Sequence, residues 1–455
     1  MNHLSRRNFF RLAASGAAGL WLSATNRAFA QATPTPLSPP PATPWVPSDG
    51  PNEPIGTAQG IFPGRVTFAR DPQIAQWDGK TDRWWDEGNI DEARLAMLFS
   101  KSLKGLTGGS TDADSWKKLF TSFNAKHGRG TQGYRPGELI AIKINVNNTI
   151  QYEDQENHID QSPQATRALL HQLTGPGGVA QKDILVYDSS VGWHVRALPD
   201  RIYTPLHAEF PEVRWMDGQG IKGREAPEWV DGAISYSSPE TELGRMLPKA
   251  IVEATYLINF ALFKGHEMSG VTLCAKNHFG SIKFPQKDHP KYVTPMHRQI
   301  TDYSAYVDLM GSPNLGGKTM LYIVDGIYGM ATNVGEPKPA RDRFTKLFKD
   351  EWSSCYFMSQ DPVAIDSVCL DFLRTEFQPI LGFSGNMAFP LGAIKNCDNY
   401  LHEAARGTNA HLGPYKPNGV LIGSLGVHEH WNNAHDQQYS RNLSPHGTGI
   451  ELLKV

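Results

Sequence analysis

Leu257-Ile-Asn-Phe-Ala-Leu-Phe-Lys264-Gly-His266-Glu-Met-Ser-Gly270-Val-Thr-Leu-Cys274-Ala-Lys276-Asn277-His278-Phe-Gly280-Ser-Ile-Lys283 is the stretch on which the fold turns. Its first seven residues form an apolar run of strand type, and the run ends in a dense group of titratable side chains. Open α/β folds place their sites where strands end at their carboxyl side, so this pattern predicts one wall of a site. A solvated surface loop would also carry charges. The density of polar groups between two apolar segments favours the site.

On either side of this stretch, strand-like and helix-like segments alternate. Leu139–Asn147 reads as a strand that turns polar at its end. Ser162-Pro163 opens a helix to about Leu173, with Ser162 as N-cap and Pro163 in the first turn, where its missing N–H costs nothing. Asp183–Asp188 is the next strand, Leu198–Phe210 a helix after Pro199, and Glu212–Met216 a strand. Ile251–Phe263 reads as apolar sheet, followed by strands at Thr319–Asp325 and Ser354–Met358, a helix at Val363–Leu373 and a late strand at Val420–Ser424. Upstream, Gly64–Arg70 is a strand, and Asp91–Leu103 and Trp116–Phe123 are helices. Tyr303–Met310 has helical polarity and fits a cap. Strands separated by helices predict an α/β fold with a mainly parallel sheet, helices on both faces and the site at the carboxyl ends of the strands.

In such a sheet, Lys143, Asn145, Asp188, Ser189, Lys264, His266 and Asp325 share one edge. Lys264, Lys276 and Lys283, with backbone N–H groups near Gly265 and Gly280, suit an anionic substrate or cofactor group. A buried lysine beside a histidine can also move a proton. The expected catalytic set is His266, Lys264, Lys276 and Asp325, and the expected substrate set is Lys143, Asn145, Asp188, Ser189, Asn277 and Asp361. His266 and His278 are candidate ligands for a divalent metal. The cofactor is otherwise unknown. A second group, His428-Glu429-His430 with His435 behind it, suits zinc, copper or nickel, and equally a polar surface loop, which is the preferred reading.

The chain has 455 residues, 40% hydrophobic and 20% charged, with a formal charge of −2. Nothing in this charge balance points to nucleic acid. Ser5-Arg6-Arg7-Asn8-Phe9-Phe10-Arg11, the apolar Leu12–Leu22 and Ala28-Phe29-Ala30 predict a twin-arginine signal peptide over residues 1–30, cleaved after Ala30. That implies the twin-arginine export machinery as a partner and a periplasmic location. The apolar run is too short for a permanent membrane span. Residues 31–59 are proline-rich and read as an extended tether, with the folded domain over 60–455. The four cysteines, 274, 355, 369 and 397, include no C-x-x-C pair, so there is no iron–sulfur motif. Two disulfides and free buried thiols are both open. H-E-x-x-H, G-x-S-x-G, P-loop and G-x-G-x-x-G motifs are all absent.

Several of these motifs, taken in order, resemble the domain-of-unknown-function 362 family. They are Ile142-Lys143-Ile144-Asn145, Val186-Tyr187-Asp188-Ser189, Leu262-Phe263-Lys264-Gly265-His266, Gly270-Val271-Thr272, Lys276-Asn277-His278-Phe279-Gly280, Asp325-Gly326 and Asp361-Pro362-Val363-Ala364-Ile365-Asp366. The resemblance covers about 139–373. It assigns no general reaction. Some members carry a cysteine-rich ferredoxin-like segment that implies redox chemistry, and this chain lacks it. Gly265 and Ile144 stand where many members have Thr and Pro. The combined expectation is an exported enzyme acting on a small anionic molecule, with metal assistance or redox chemistry open. The alternative is a periplasmic binding or accessory protein that uses the same crevice without catalysis.

Overall fold

The computed structural model describes residues 47, 49–149, 157–192, 195–238, 243–266, 269–284, 303–377 and 398–455. The segment expected to be a signal, most of the expected tether, Glu267 and Cys397 lie outside them, as does all of 285–302.

The strands, in chain order, are β1 (Ile55–Gly56), β2 (Arg65–Arg70), β3 (Ile140–Lys143), β4 (Ile184–Asp188), β5 (Arg214–Asp217), β6 (Trp229–Val230), β7 (Leu247–Pro248), β8 (Tyr256–His266), β9 (Gly270–Thr272), β10 (Thr319–Met330), β11 (Cys355–Ser359), β12 (Thr408–Asn409), β13 (Gly413–Pro414), β14 (Val427–His428) and β15 (Glu451–Lys454). Among the described residues the main sheet runs β15-β2-β11-β10-β8-β3-β4-β5, with β9 paired to β8. The strands β10, β8, β3, β4 and β5 are mutually parallel. On the other flank, β11 is antiparallel to both β10 and β2, and β15 is parallel to β2. This is the expected α/β architecture with a mostly parallel sheet.

Because successive side chains of a strand point to opposite faces, the sheet feeds two cores. On one face Ile140, Ile142, Ile184, Val186, Ile258 and Phe260 meet Leu98, Phe99, Leu119, Phe120, Leu169 and Leu173. Those partners come from the helices Glu92–Thr107, Asp112–Lys126 and Pro163–Thr174. On the other face Ala141, Leu185, Leu257, Ala261 and Val324 meet residues such as Val307, Ile365, Val368, Leu370 and Leu401. Those come from the helices Ala305–Gly311, Pro362–Phe377 and Asn399–Arg406. Burial on both sides explains why the central strands read as unbroken apolar runs.

The cap chemistry read from sequence is present. The Ser162 side chain accepts from Ala165 N, and Pro163 occupies the first turn. Asp91, read from sequence as the first helical residue, is instead the N-cap of its helix and accepts from Arg94 N–H. Three local expectations differ. Ile251 belongs to the short helix Lys249–Glu253, and the strand begins only at Tyr256. Val420–Ser424 is not a strand: Val420 and Leu421 are exposed and find no ladder to join. Ordered pairing also starts inside the proline-rich stretch, because β1 follows Pro54 and pairs with β14. The cysteines Cys274, Cys355 and Cys369 are free and buried. Among the described residues no helix is long and apolar enough to cross a membrane.

Candidate functional site

The carboxyl end of β3 delivers Lys143 into a fully buried position. Its Nζ lies 3.1 Å from Asp188 Oδ2 at the end of neighbouring β4. It also donates to the Ile144 carbonyl at 2.5 Å and to Asn277 Oδ1 at 3.2 Å. Burial pulls the Lys143 pKa below its ordinary value, against the pull of Asp188. The Asn277 amide donates to the Lys143 carbonyl at 3.2 Å and to Asn259 Oδ1 at 2.8 Å, while Asn145 Nδ2 donates to Asn277 Oδ1 at 3.2 Å. Asn277 therefore ties the short helix after β9 to the end of β3 and to Asn259 within β8. Ser189 is buried, and its N–H donates to the Gly280 carbonyl at 3.0 Å.

Lys264 and Lys276 come together beside this pair, close enough for Lys264 to lower the basicity of Lys276. Lys264, at the end of β8, is buried and donates to the Asn333 carbonyl at 3.2 Å. Burial pushes its pKa down to about 8; Asp160 and Asp188 act in the opposite direction and Arg196 in the same one. Lys276 is pushed down to about 7 by burial, then by Lys264 and Arg196. Its ammonium stands 5.4 Å from the Phe279 ring centre and makes no hydrogen bond or ion pair among the described residues. The acids that act on Lys264 are already engaged. Asp188 pairs with Lys143, and Asp160 pairs with Arg201 at 3.2 Å. Positive charge is thus in local excess, which is the electrostatic condition for holding an anion.

Asp325 sits on β10 opposite Leu262 of β8. Its Oδ2 receives Gln161 Nε2 at 2.7 Å and the Ser162 hydroxyl at 3.3 Å, and its Oδ1 receives Ile327 N–H at 3.0 Å. Burial raises its pKa to about 6, against these hydrogen bonds. The Gln161 N–H donates to the Asn145 carbonyl at 2.7 Å, so Asp325 is linked to the end of β3 through one residue. His266 closes β8, nearly buried, and its Nδ1 accepts from Ser269 N–H at 3.2 Å.

Asp361 stands apart from this group, while His278 is joined to it through Asn259, which also bonds Asn277. His278 is fully buried, and its Nε2 lies 3.1 Å from Asn259 Nδ2. Burial takes its pKa down to about 3, so the ring is a neutral internal spacer. Among the described residues, no set of converging ligand atoms includes His266 or His278. Asp361 follows β11, whose antiparallel direction sends its end to the opposite edge of the sheet. Its carboxylate accepts from the N–H groups of Gln59, Val363, Ala364 and Val427 at 2.8–3.2 Å. It is the cap of the helix Pro362–Phe377. His435 is exposed, as the surface-loop reading expects, but His428 and His430 are buried, because the segment packs under that same helix.

Sequence reading missed Arg196, Asp160, Gln161 and Asn333, which lie on loops without periodicity. Asn259 carried a signal: it is the one polar residue inside an apolar strand.

The family model for the domain of unknown function DUF362 matches residues 140–371. No curated protein matches the chain.

Proposed function

The chain belongs to the DUF362 family, a domain of unknown function, and from that premise we propose that its strand-end cluster is the active site of an enzyme acting on a small anionic molecule. The observation that carries this reading is the pair Lys264 and Lys276, two crowded ammonium groups with no carboxylate at ion-pair distance among the described residues. An incoming anion supplies the missing counter-charge. Lys276, which is partly exposed, meets it first, and Lys264 holds it from beneath. His266, one pleat beyond Lys264 on the same strand, moves the proton. Lys143, Asn145, Asp188, Ser189 and Asn277 hold the wall against which the anion rests, and Asp325 fixes the loop Gln161-Ser162 behind it.

Binding has a proton signature. Near pH 8 both lysines are partly neutral; an anion raises their pKa, so binding takes up protons. Calorimetric titration of small carboxylates and phosphate, repeated in buffers of different ionisation heat, measures that uptake. The expected outcome is uptake that shrinks below pH 7 and a loss of about tenfold or more in affinity in Lys276→Met. Saturable binding that moves no protons at pH 8 would contradict the lysine assignment. His266→Ala is expected to keep binding and lose conversion of the bound molecule. If the wild-type protein binds the anion and never converts it, the cluster belongs to a binding or accessory protein. The closely hydrogen-bonded Asn277–Asn259–Lys143 network is the feature that favours that reading.

We read residues 1–30 as a twin-arginine signal and the mature protein as periplasmic, on the strength of Arg6-Arg7 and Ala28-Phe29-Ala30. Cell fractionation of the wild type and an Arg6→Lys/Arg7→Lys variant tests this. Retention of the variant's precursor in the cytoplasm is the expected result.

A further inference from the structure

Away from the lysine cluster, three segments distant in sequence bring five metal-type donors together. His428 and His430 lie two residues apart in an extended segment, so their rings share one side. Asp398 and His402 stand one turn apart, at the start and within the helix Asn399–Arg406. Asp49 is brought in by the pairing of the chain around β1, with Ile55 opposite His428 and Pro51 bridged to His430.

The donor atoms converge. His402 Nε2 is in contact with Asp49 Oδ2 and lies 3.9 Å from Asp398 Oδ2. His428 Nε2 is 3.9 Å from Asp49 Oδ2, and His430 Nε2 is 4.0 Å from Asp398 Oδ2. The atoms fall into two sets, Asp49–His402–His428 and Asp398–His428–His430, each within 4.8 Å and sharing His428. A metal bound at about 2.0–2.2 Å per ligand separates its ligands by about 3–4 Å, so a small contraction closes the set.

Two further observations point to an ion. The first is that His428 Nε2 and Asp398 Oδ2 are buried with no hydrogen-bond partner, and that buried His402 Nε2 and Asp49 Oδ2 have only their contact with each other. Leaving such polar atoms under-satisfied in one spot is costly unless something occupies the space between them. The second is that the other ring nitrogens of His428 and His430 are already held, as metal-bound imidazoles require. His428 Nδ1 is 2.8 Å from the Ser367 hydroxyl, and His430 Nδ1 is 2.8 Å from Asp371 Oδ1. Ser367 and Asp371 are four apart on one face of the helix Pro362–Phe377, which acts as the backing plate of both rings.

We propose that Asp49, Asp398, His402, His428 and His430 form a binding site for one divalent transition-metal ion of zinc type. Imidazole nitrogens disfavour calcium and magnesium, and the absence of a thiolate from the set disfavours Cu(I). The ion fastens the chain before β1 to β14 and to the helix Asn399–Arg406. The site shares no residue with the lysine cluster, so either assignment can fail without the other.

The test uses full-length protein, stripped with a chelator and titrated with ZnCl₂, and separately with CoCl₂ as a visible-absorption probe. The expected result is one equivalent per chain, Co²⁺ d–d bands that saturate at that ratio and vanish on adding zinc, and a rise in thermal midpoint on loading. His402→Gln and Asp49→Asn should weaken binding about tenfold or more, whereas His435→Gln, on the exposed ring outside the set, should leave it unchanged. Wild-type protein that takes up no zinc and shows no Co²⁺ bands overturns the proposal. So does full zinc affinity in His402→Gln/Asp49→Asn, or equal loss in His435→Gln.

Discussion

Gly280 shows how closely the lysine cluster is built. A Cβ placed there would stand 2.3 Å from both Cε and Nζ of Lys143 and 2.7 Å from Asp188 Oδ1. The end of a lysine side chain can usually swing aside, but this one is pinned by Asp188, Asn277 and the Ile144 carbonyl. Gly280→Ala is therefore expected to cost about 1–3 kcal/mol of stability, the usual range for overpacking, and to weaken anion binding by shifting the ammonium. Denaturant unfolding together with calorimetry checks both. A variant with wild-type stability and affinity would mean that the ion pair has slack the structure does not show.

One short element positions Lys276 and Asn277. The helix Cys274–Asn277 is too short to be stable by itself, and its first N–H groups would be unsatisfied without an acceptor. Asp366 supplies it from the helix Pro362–Phe377, accepting from Cys274 N–H at 2.9 Å and Ala275 N–H at 3.0 Å. The Tyr400 hydroxyl donates to the same carboxylate at 3.1 Å, and burial raises its pKa to about 6. The Asp361–Asp366 run thus has two structural tasks: Asp361 caps its own helix and Asp366 caps another. Asp366→Ala is expected to lower stability by about 2 kcal/mol, a lost cap plus unsatisfied buried donors, and to reduce anion affinity as Lys276 loosens. Unchanged affinity would show that Lys276 is placed by something else. The strands and the Ser162-Pro163 cap were legible in sequence because each is written locally, as in the apolar run before Lys264, whereas the capping roles of Asp361 and Asp366 were not. The direction of β11 was not legible, since it depends on which neighbour the strand pairs with. That is why Asp361, grouped with the site by its strand-end position, lies at the other edge.

For the molecule as a whole, the buried lysines set a pH dependence whose sign can be stated. Lys264 titrates near 8 when folded and near its ordinary 10.5 when unfolded. Between those values the unfolded chain holds a proton that the folded chain lacks, so stability rises with pH across that window, and the cost is fully present below it. Lys264→Met should be more stable than the wild type at pH 7, with the difference shrinking towards pH 10. Chemical denaturation at several pH values measures this, and a difference that grew with pH would refute the assignment. An α/β architecture with a mostly parallel sheet was legible from the alternating pattern. The convergence of Asp49, Asp398 and His402 on His428 and His430 was not, because those residues meet only through tertiary pairing.

The same long-distance pairing has a consequence for how the chain acquires its shape. Strand β2 lies between β11 and β15, and the Arg65–Glu451 ion pair on that seam, 2.8 Å long, joins residues 386 positions apart. Such contacts form late, because a long loop must close before they repay its entropy. Until Glu451–Lys454 arrives, β2 presents an open row of amide groups, a template for pairing with a neighbouring nascent chain. A chain cut short before Glu451 would keep that edge permanently, and its fate would be association rather than a smaller stable fold.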